Sequence, residues 1–267
     1  MIKSGEIQQK ARKIGVRDQQ IEKDYILSWI LFGISKHEQL SKAIVFKGGT
    51  ALKKIYFKDY RFSEDLDFTL LHIETKNDKI YEWFKETFEF IKEEANISLE
   101  IITDNEREEG GINFYISYIG PFGGQGSNKK VKVDISRSEQ LVFEPVIKGV
   151  IANYSDLEEH QLLCYSLEEI LVEKMRSVMQ RMQARDFYDI WYLLEKHQMK
   201  IDFYISEFKA KCENKDLQVS DFQKKLTERL PQYKGRWQSS LKEQIKYLPN
   251  FEQVEREVQR HIKKLKF

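Results

Sequence analysis

Cysteine and proline are scarce in this sequence of 267 residues, which contains two cysteines and four prolines. The cysteines, Cys164 and Cys212, lie far apart in the sequence, and their placement suggests neither a zinc site nor a disulfide framework. Hydrophobic residues make up 41% of the chain, and only thirteen glycines interrupt it. This composition disfavours disordered and fibrous proteins and indicates a folded globular chain.

Long hydrophobic runs are also missing. The longest apolar stretch, residues 25–34, is too short to span a bilayer. The amino terminus lacks the apolar segment of a signal peptide. We therefore expect a cytoplasmic protein with no membrane partner.

Neither sign of charge dominates, because the net charge is +1. From residue 200 onward there are 16 lysines and arginines against 10 aspartates and glutamates, a local +6, so the first 199 residues carry −5. The cationic carboxyl-terminal third is compatible with a polyanionic partner such as RNA. A solvated helical surface explains the same charge equally well.

Hydrophobic periodicity predicts a mixed first part and a helical second part. A helix is predicted from Asp18 to about Ser35, and a second one over residues 80–95. Strands are predicted at residues 43–46, 63–71, 97–102, 112–119 and 131–136. After Tyr154 the pattern predicts helices only, one of them opened by a capping box of Ser166 and Glu169. We expect an α/β or α+β domain over residues 1–154 and an all-helical domain over residues 155–267.

Two aspartates share one face of a predicted strand. Side chains alternate along a strand, so Asp65 and Asp67 project to one side while Leu66 and Phe68 pack on the other. Adjacent carboxylates repel each other, and the arrangement is costly unless a cation neutralises it. Magnesium is the natural candidate, because it prefers oxygen ligands and is held by one or two carboxylates plus substrate phosphates.

A third carboxylate lies in the predicted strand of residues 131–136. Val131, Val133 and Ile135 occupy one face of this strand, and Asp134 occupies the other. If the strand neighbours that of Asp65 and Asp67, the three carboxylates converge and could hold two metal ions. That is the geometry of in-line phosphoryl transfer.

A glycine pair precedes a predicted helix. Gly48 and Gly49 would let a phosphate approach the backbone, and the helix beginning near Thr50 would direct its free N–H groups toward that phosphate. Thr50 adds a hydroxyl donor. Glycines in strand-to-helix turns are common, as are Asp-x-Asp pairs on surface strands, so each motif alone is weakly specific. Their succession favours a nucleotide site.

The helix after Ser166 carries cations on its inward stripe. Leu171, Lys174, Val178 and Arg181 fall at helical spacing on the buried or cleft-facing side. Lys174 could hold the leaving phosphates of a triphosphate. Alternatively, Lys174 has no part in catalysis and lies at the boundary between the two domains, with its charged end extended into solvent.

Together, these motifs resemble the nucleotidyltransferase superfamily whose fold is shared with DNA polymerase β. More narrowly, four segments look like the AbiEii/AbiGii family of abortive-infection toxins: "FKGGTALKK", "RFSEDLDF", "VDIS" and "EKMRSVMQRMQARDFYDIW". The likeness extends from about Glu22 to Trp191. It implies a polymerase β-like core with a mixed sheet, followed by a helical domain that completes the active-site cleft.

The resemblance also implies a function. Members are toxins of bacterial toxin–antitoxin pairs, encoded beside a transcriptional-regulator antitoxin. They transfer a nucleotide from an NTP, in some relatives to the 3′ end of tRNA. The family's lysine block maps to Lys174, and its cleft includes the segment of Asp186 and Asp189; which of these aspartates faces the cleft stays open.

The combined hypothesis is a magnesium-dependent nucleotidyltransferase with two ions, Mn²⁺ being the alternative metal. Asp65, Asp67 and Asp134 would bind the metal, Asp134 would serve as candidate base, and Lys174 would neutralise the leaving pyrophosphate. The nucleotide would be bound by Gly48, Gly49, Thr50, Lys174, Arg181, Asp186 and Asp189. Two alternatives remain: a metal-dependent nuclease built on the same carboxylates, and a non-catalytic module that binds an NTP or an antitoxin.

Overall fold

The computed structural model describes residues 1–106, 111–124, 126, 129–151, 153–263 and 265. The chain forms two compact units. The N-terminal unit comprises Met1–Glu139 and Pro145–Tyr165, and the helical unit comprises Gln140–Glu144 and Ser166–Phe267. The sequence-based boundary after residue 154 falls inside the second segment of the N-terminal unit.

The N-terminal unit is a mixed sheet with helices. Its helices are α1 (Ser4–Ile14), α2 (Asp18–Lys36), α3 (Glu38–Ala43), α4 (Gly48–Ala51, continued by a π-helical turn over Leu52–Tyr56) and α5 (Asn77–Ala95). Its strands are β1 (Ile44–Lys47), β2 (Asp65–Leu70), β3 (Ser98–Glu106), β4 (Ile112–Ile119), β5 (Lys130–Ser136), β6 (Val146–Gly149) and β7 (Gln161–Cys164). The mixed α/β class predicted from the sequence is confirmed.

Among the described residues, the seven strands form one sheet in the order β3-β4-β5-β2-β1-β7-β6. The β2–β5 and β1–β7 pairs are parallel, and the other pairs are antiparallel. The prediction of helices only after Tyr154 is wrong at β7. This strand has four residues and pairs with β1, which is distant in sequence, and with β6, so no local pattern revealed it.

One face of the sheet is apolar and buried. Val131, Val133 and Ile135 of β5 are all fully buried. Phe84 of α5 packs edge-on against Phe114 of β4, with ring centroids 5.0 Å apart. Burial of this face fixes the strand register, because a slip of one residue would exchange it with the polar face.

Helix α2 anchors both segments that flank the polar face. Lys54, fully buried after α4, places its ammonium 2.7 Å from Asp24 Oδ1 of α2. Glu22 Oε1, also on α2, accepts from the Phe122 N–H and from Lys129 Nζ at 3.0 and 3.1 Å, which ties the loop before β5 to the helix. These two ion pairs occupy the carboxylates of Glu22 and Asp24.

The helical unit contains α6 (Leu167–Gln180), α7 (Ala184–Trp191, continued by a π-helical turn over Tyr192–Lys196), α8 (Ile205–Glu213), α9 (Phe222–Leu241) and α10 (Phe251–Ile262). Its core is aromatic: Phe187 of α7 stacks on Tyr233 of α9 with centroids 5.2 Å apart, and Trp237 and Phe251 surround it. No helix in the described part of the chain has the length and hydrophobicity needed to cross a bilayer.

The predicted N-cap of α6 is present, but the Glu169 side chain makes other contacts than those of a capping box. Ser166 Oγ accepts from the Glu169 N–H at 3.1 Å. The Glu169 carboxylate instead accepts from the N–H groups of Val142 and Phe143 and pairs with the fully buried Lys211 at 2.6 Å. It thereby fastens the segment Gln140–Glu144 to the helical unit.

Candidate functional site

Two strands bring carboxylates together on the polar face of the sheet. In the parallel β2–β5 pair, Asp67 lies opposite Asp134, and Asp65 lies opposite Lys132. Residues opposite each other on paired strands point to the same face. All four side chains are partly exposed. The predicted convergence of the carboxylates depended on the two strands being neighbours, and the structure does pair β2 with β5.

The glycine turn lies beside Asp67. Lys47, the last residue of β1, is opposite Asp67 in the antiparallel β1–β2 pair. Gly48 follows at φ +80°, in the left-handed region that favours glycine. A Cβ on Gly48 would lie 2.5 Å from Asp67 Oδ2. Glycine at this position is needed both for the backbone conformation and for the close approach of the aspartate.

We expect Gly48→Ala to lower the free energy of unfolding by about 1–3 kcal/mol, because the left-handed backbone is strained for alanine and the new methyl meets Asp67. Urea unfolding measures the change. Gly5→Ala in α1 is the matched control, since its added Cβ meets no atom within 4 Å. The control is expected to keep or gain stability. Equal stabilities of Gly48→Ala and wild type would contradict the close turn.

Thr50 and Arg61 connect the turn to its surroundings. Thr50 is buried, and its hydroxyl donates to the backbone carbonyl of Asp65, which ties α4 to the start of β2. Arg61 is also buried, and a Cβ added to Gly49 would overlap its guanidinium. Arg61 was not predicted as a site residue, because it lies in a loop without periodicity. The signal available in the sequence was its position in the segment "RFSEDLDF", which resembles the family.

Asp67 and Asp134, opposite each other on paired strands, are the residues that could hold a magnesium ion, whose ligands are commonly one or two carboxylates completed by water and phosphate oxygens. Asp65 adds a carboxylate two residues along the same strand and the same face. Among the residues that the structure describes, no group of three His, Cys, Asp or Glu side chains is placed to hold an ion jointly. A metal ion held by Asp67 and Asp134 would therefore need further ligands, which water or substrate phosphates could supply.

The remaining predicted residues form a second group, inside the helical unit. The Lys174 ammonium lies 2.6 Å from Asp186 Oδ1 and 2.8 Å from Asp189 Oδ2, so both aspartates of α7 face the same lysine. All three side chains are buried. Arg181, which periodicity put on the inward stripe of α6, has a 59% exposed side chain because α6 ends at Gln180; its Nε reaches Asp186 Oδ2 at 2.7 Å.

The ionisation of Asp186 is set by its neighbours. Burial disfavours its charge, but the positive charges of Lys174 and Arg181 outweigh that effect and hold the pKa of Asp186 below its ordinary value of 3.8. Asp186 is therefore ionised at neutral pH, and its carboxylate lies against the Lys174 side chain. The lysine is held in one position by two carboxylates.

Several basic side chains of the carboxyl-terminal third donate hydrogen bonds inside the helical unit. Arg229 of α9 donates to the carbonyl of Val178, and Arg236 donates to that of Met182 at 2.8 Å. Tyr233 donates its hydroxyl to Val178 O at 3.1 Å. These bonds satisfy carbonyls at the end of α6 and after it, and they fix the connection that carries Arg181.

The fold is that of nucleotidyltransferase toxins. The crystal structure of JHP933 from Helicobacter pylori is similar, with a TM-score of 0.59 at 15% sequence identity, covering 93% of this chain and 92% of that one. MenT4, a nucleotidyltransferase toxin from Mycobacterium tuberculosis H37Rv, is similar with a TM-score of 0.56 at 15% identity, covering 97% and 98%. No curated protein matches the sequence.

The family model described as "Nucleotidyl transferase AbiEii toxin, Type IV TA system" matches residues 29–257. The chain belongs to this AbiEii family of nucleotidyltransferase toxins. The family resemblance predicted from the motifs is confirmed. The matched region includes the glycine turn, all three carboxylates of the sheet and the Lys174 group.

Proposed function

We propose that this protein transfers a nucleoside monophosphate from an NTP to an acceptor hydroxyl, with tRNA as the acceptor, and that it acts as the toxin of a toxin–antitoxin pair. The observation that carries the proposal is the placement of Asp67 opposite Asp134, with Gly48 against Asp67. Carboxylates beside a glycine turn suit a triphosphate and its metal.

Asp65, Asp67 and Asp134 are the proposed metal ligands. In the two-ion form of the proposal, Asp65 and Asp67 contribute to both sites and Asp134 to the second, with Mg²⁺ or Mn²⁺ as the metal. A bound divalent ion would polarise the transferring phosphoryl group and lower the pKa of the acceptor hydroxyl. Asp134, partly exposed, is the proposed base for the proton of that hydroxyl.

The phosphates are proposed to bind at the glycine turn. The first N–H groups of the short helix α4 have no acceptor within the helix, and Gly48 and Gly49 present no side chain that would block a phosphate. Arg61, packed on Gly49, adds a guanidinium suited to a phosphate oxygen. Because Thr50 donates to the carbonyl of Asp65, its proposed contribution is to hold the turn against β2 as well as to offer its hydroxyl oxygen.

Lys174 is proposed to neutralise the leaving pyrophosphate, as the family resemblance implies. Asp186 and Asp189 would order its ammonium, and Arg181 would hold Asp186 in place. Such preorganised charge is effective because it needs no rearrangement when the leaving group develops its charge. The cognate antitoxin, a transcriptional regulator by the resemblance, is the proposed protein partner, and the cytoplasm is the proposed location.

Incubation with each α-³²P-labelled NTP, Mg²⁺ and total cell RNA or protein tests the proposal. We expect labelled tRNA with the wild-type protein and none after Asp67→Asn, while NTP binding is detectable in the wild type. Shortened RNA without label would favour the metal-dependent nuclease. Unchanged antitoxin binding by Asp67→Asn, with no transfer by either protein, would favour the binding module.

A further inference from the structure

A lysine lies within the carboxylate face. Lys132 precedes Asp134 by two residues on β5, so both side chains project to the same side of the sheet. The Lys132 ammonium is 3.5 Å from Asp134 Oδ2, and Lys132 lies opposite Asp65 on β2. Its side chain is 33% exposed, against 14% for Asp134.

We propose that Lys132 is an internal counter-ion that competes with a divalent cation for Asp134. The proposal rests on the proposed function, since it assumes that these carboxylates bind metal. Its consequence is that the protein alone binds the metal weakly. The metal binds well only when an NTP brings further oxygen ligands and negative charge that attracts the ammonium away from Asp134.

The chemistry of the two cations supports this competition. An ammonium donates three hydrogen bonds and offers no lone pair, so Lys132 neutralises Asp134 but cannot share it as a metal ligand. A divalent ion at Asp134 would also be repelled by a positive charge a few ångströms away. The long, partly exposed stem of Lys132 allows its charge to move toward solvent or toward a phosphate.

Lysines of the protein itself also lie among these carboxylates. Three like charges on one face repel each other unless a cation lies among them. Lys132 of β5 lies beside Asp134 and opposite Asp65. Lys47 lies opposite Asp67 on β1, the other strand that pairs with β2. Lys132 therefore balances part of the negative charge of this face before any metal binds.

Mn²⁺ titration followed by electron paramagnetic resonance, on the full chain without nucleotide, tests the inference. We expect Lys132→Met to bind Mn²⁺ about tenfold more tightly than the wild type at low ionic strength, with a smaller gain at high salt. Lys130→Met is the matched control. Lys130 lies on the same face of β5, but its ammonium is over the Tyr115 ring, 4.6 Å from the centroid, so no gain is expected.

Two further comparisons make the result specific. Adding ATP is expected to tighten Mn²⁺ binding by a larger factor in the wild type than in Lys132→Met, because the competing charge is already gone in the variant. Lys132→Gln, which keeps a polar side chain without charge, is expected to behave like Lys132→Met. Equal Mn²⁺ affinities of Lys132→Met, Lys132→Gln and wild type, or no binding by any of them, would overturn the inference.

Failure of this inference is distinguishable from failure of the proposed function. Asp67→Asn is expected to weaken Mn²⁺ binding in any background. If it does so while Lys132→Met changes nothing, the metal site stands and the competition by Lys132 is wrong. If Asp67→Asn leaves Mn²⁺ binding unchanged, the metal site itself is wrong, and the inference is overturned with it.

Discussion

Replacing Lys174 with methionine is expected to lower the free energy of unfolding by about 3–5 kcal/mol, the usual result of removing one partner from a buried ion cluster. Asp186 keeps its contact with Arg181, whereas Asp189, fully buried, loses the ammonium at 2.8 Å. Chemical unfolding followed by circular dichroism measures the loss. Lys209→Met is the control, because Lys209 pairs with Glu213 at the surface with 62% of its side chain exposed.

A second substitution separates buried charge from lost packing. Asp189→Asn in the Lys174→Met background removes the carboxylate that has lost its lysine, and about 1–3 kcal/mol is expected to return. If Lys174→Met is as stable as Lys209→Met, the buried cluster does not exist as described. Because of this expected instability, lost activity of a Lys174 variant supports a catalytic contribution only where the variant is shown to be folded.

Asp134→Asn is expected to reduce nucleotide transfer by about 10²–10⁴-fold, because it removes a proposed metal ligand and the proposed base. The fold should persist, since the side chain is partly exposed and the relief of repulsion by Asp67 offsets the lost ion pair with the partly exposed Lys132. Initial rates of label transfer, with thermal unfolding of the same samples, measure both effects.

The control for Asp134→Asn is Asp59→Asn, an exposed aspartate of the N-terminal unit outside the carboxylate face. It is expected to transfer at the wild-type rate. Wild-type transfer by Asp134→Asn would remove this residue from the reaction. Loss of transfer together with loss of folding would show that Asp134 supports the sheet instead.

The faces of β2 and β5 were predictable from the sequence because alternation is a local property of a strand. Leu66 and Val133 are buried, as their spacing predicts, and Asp67 and Asp134 lie on the opposite face. The pairing of these two strands was not predictable. α5, β3 and β4 separate them in the chain, and hydrophobic patterns do not identify a distant strand partner.

Other features depended on tertiary contacts. Lys132 shares its face with Asp134 by simple alternation, so the sequence contained that signal, but only the pairing with Asp65 shows its place among the carboxylates. Arg61 becomes notable only because the fold packs it on Gly49. The use of Glu169 as an anchor for residues 140–144 also required the tertiary structure, since its sequence position predicts a capping residue.

The most direct test of the central claim is a crystal structure of the protein with Mn²⁺ and a non-hydrolysable NTP analogue, with the metal located by its anomalous scattering. We predict a Mn²⁺ peak coordinated by Asp67 and Asp134 together, with the triphosphate against the Gly48–Gly49 turn. Metal and triphosphate bound elsewhere on the protein, or a Mn²⁺ ion that contacts neither aspartate, would contradict the account.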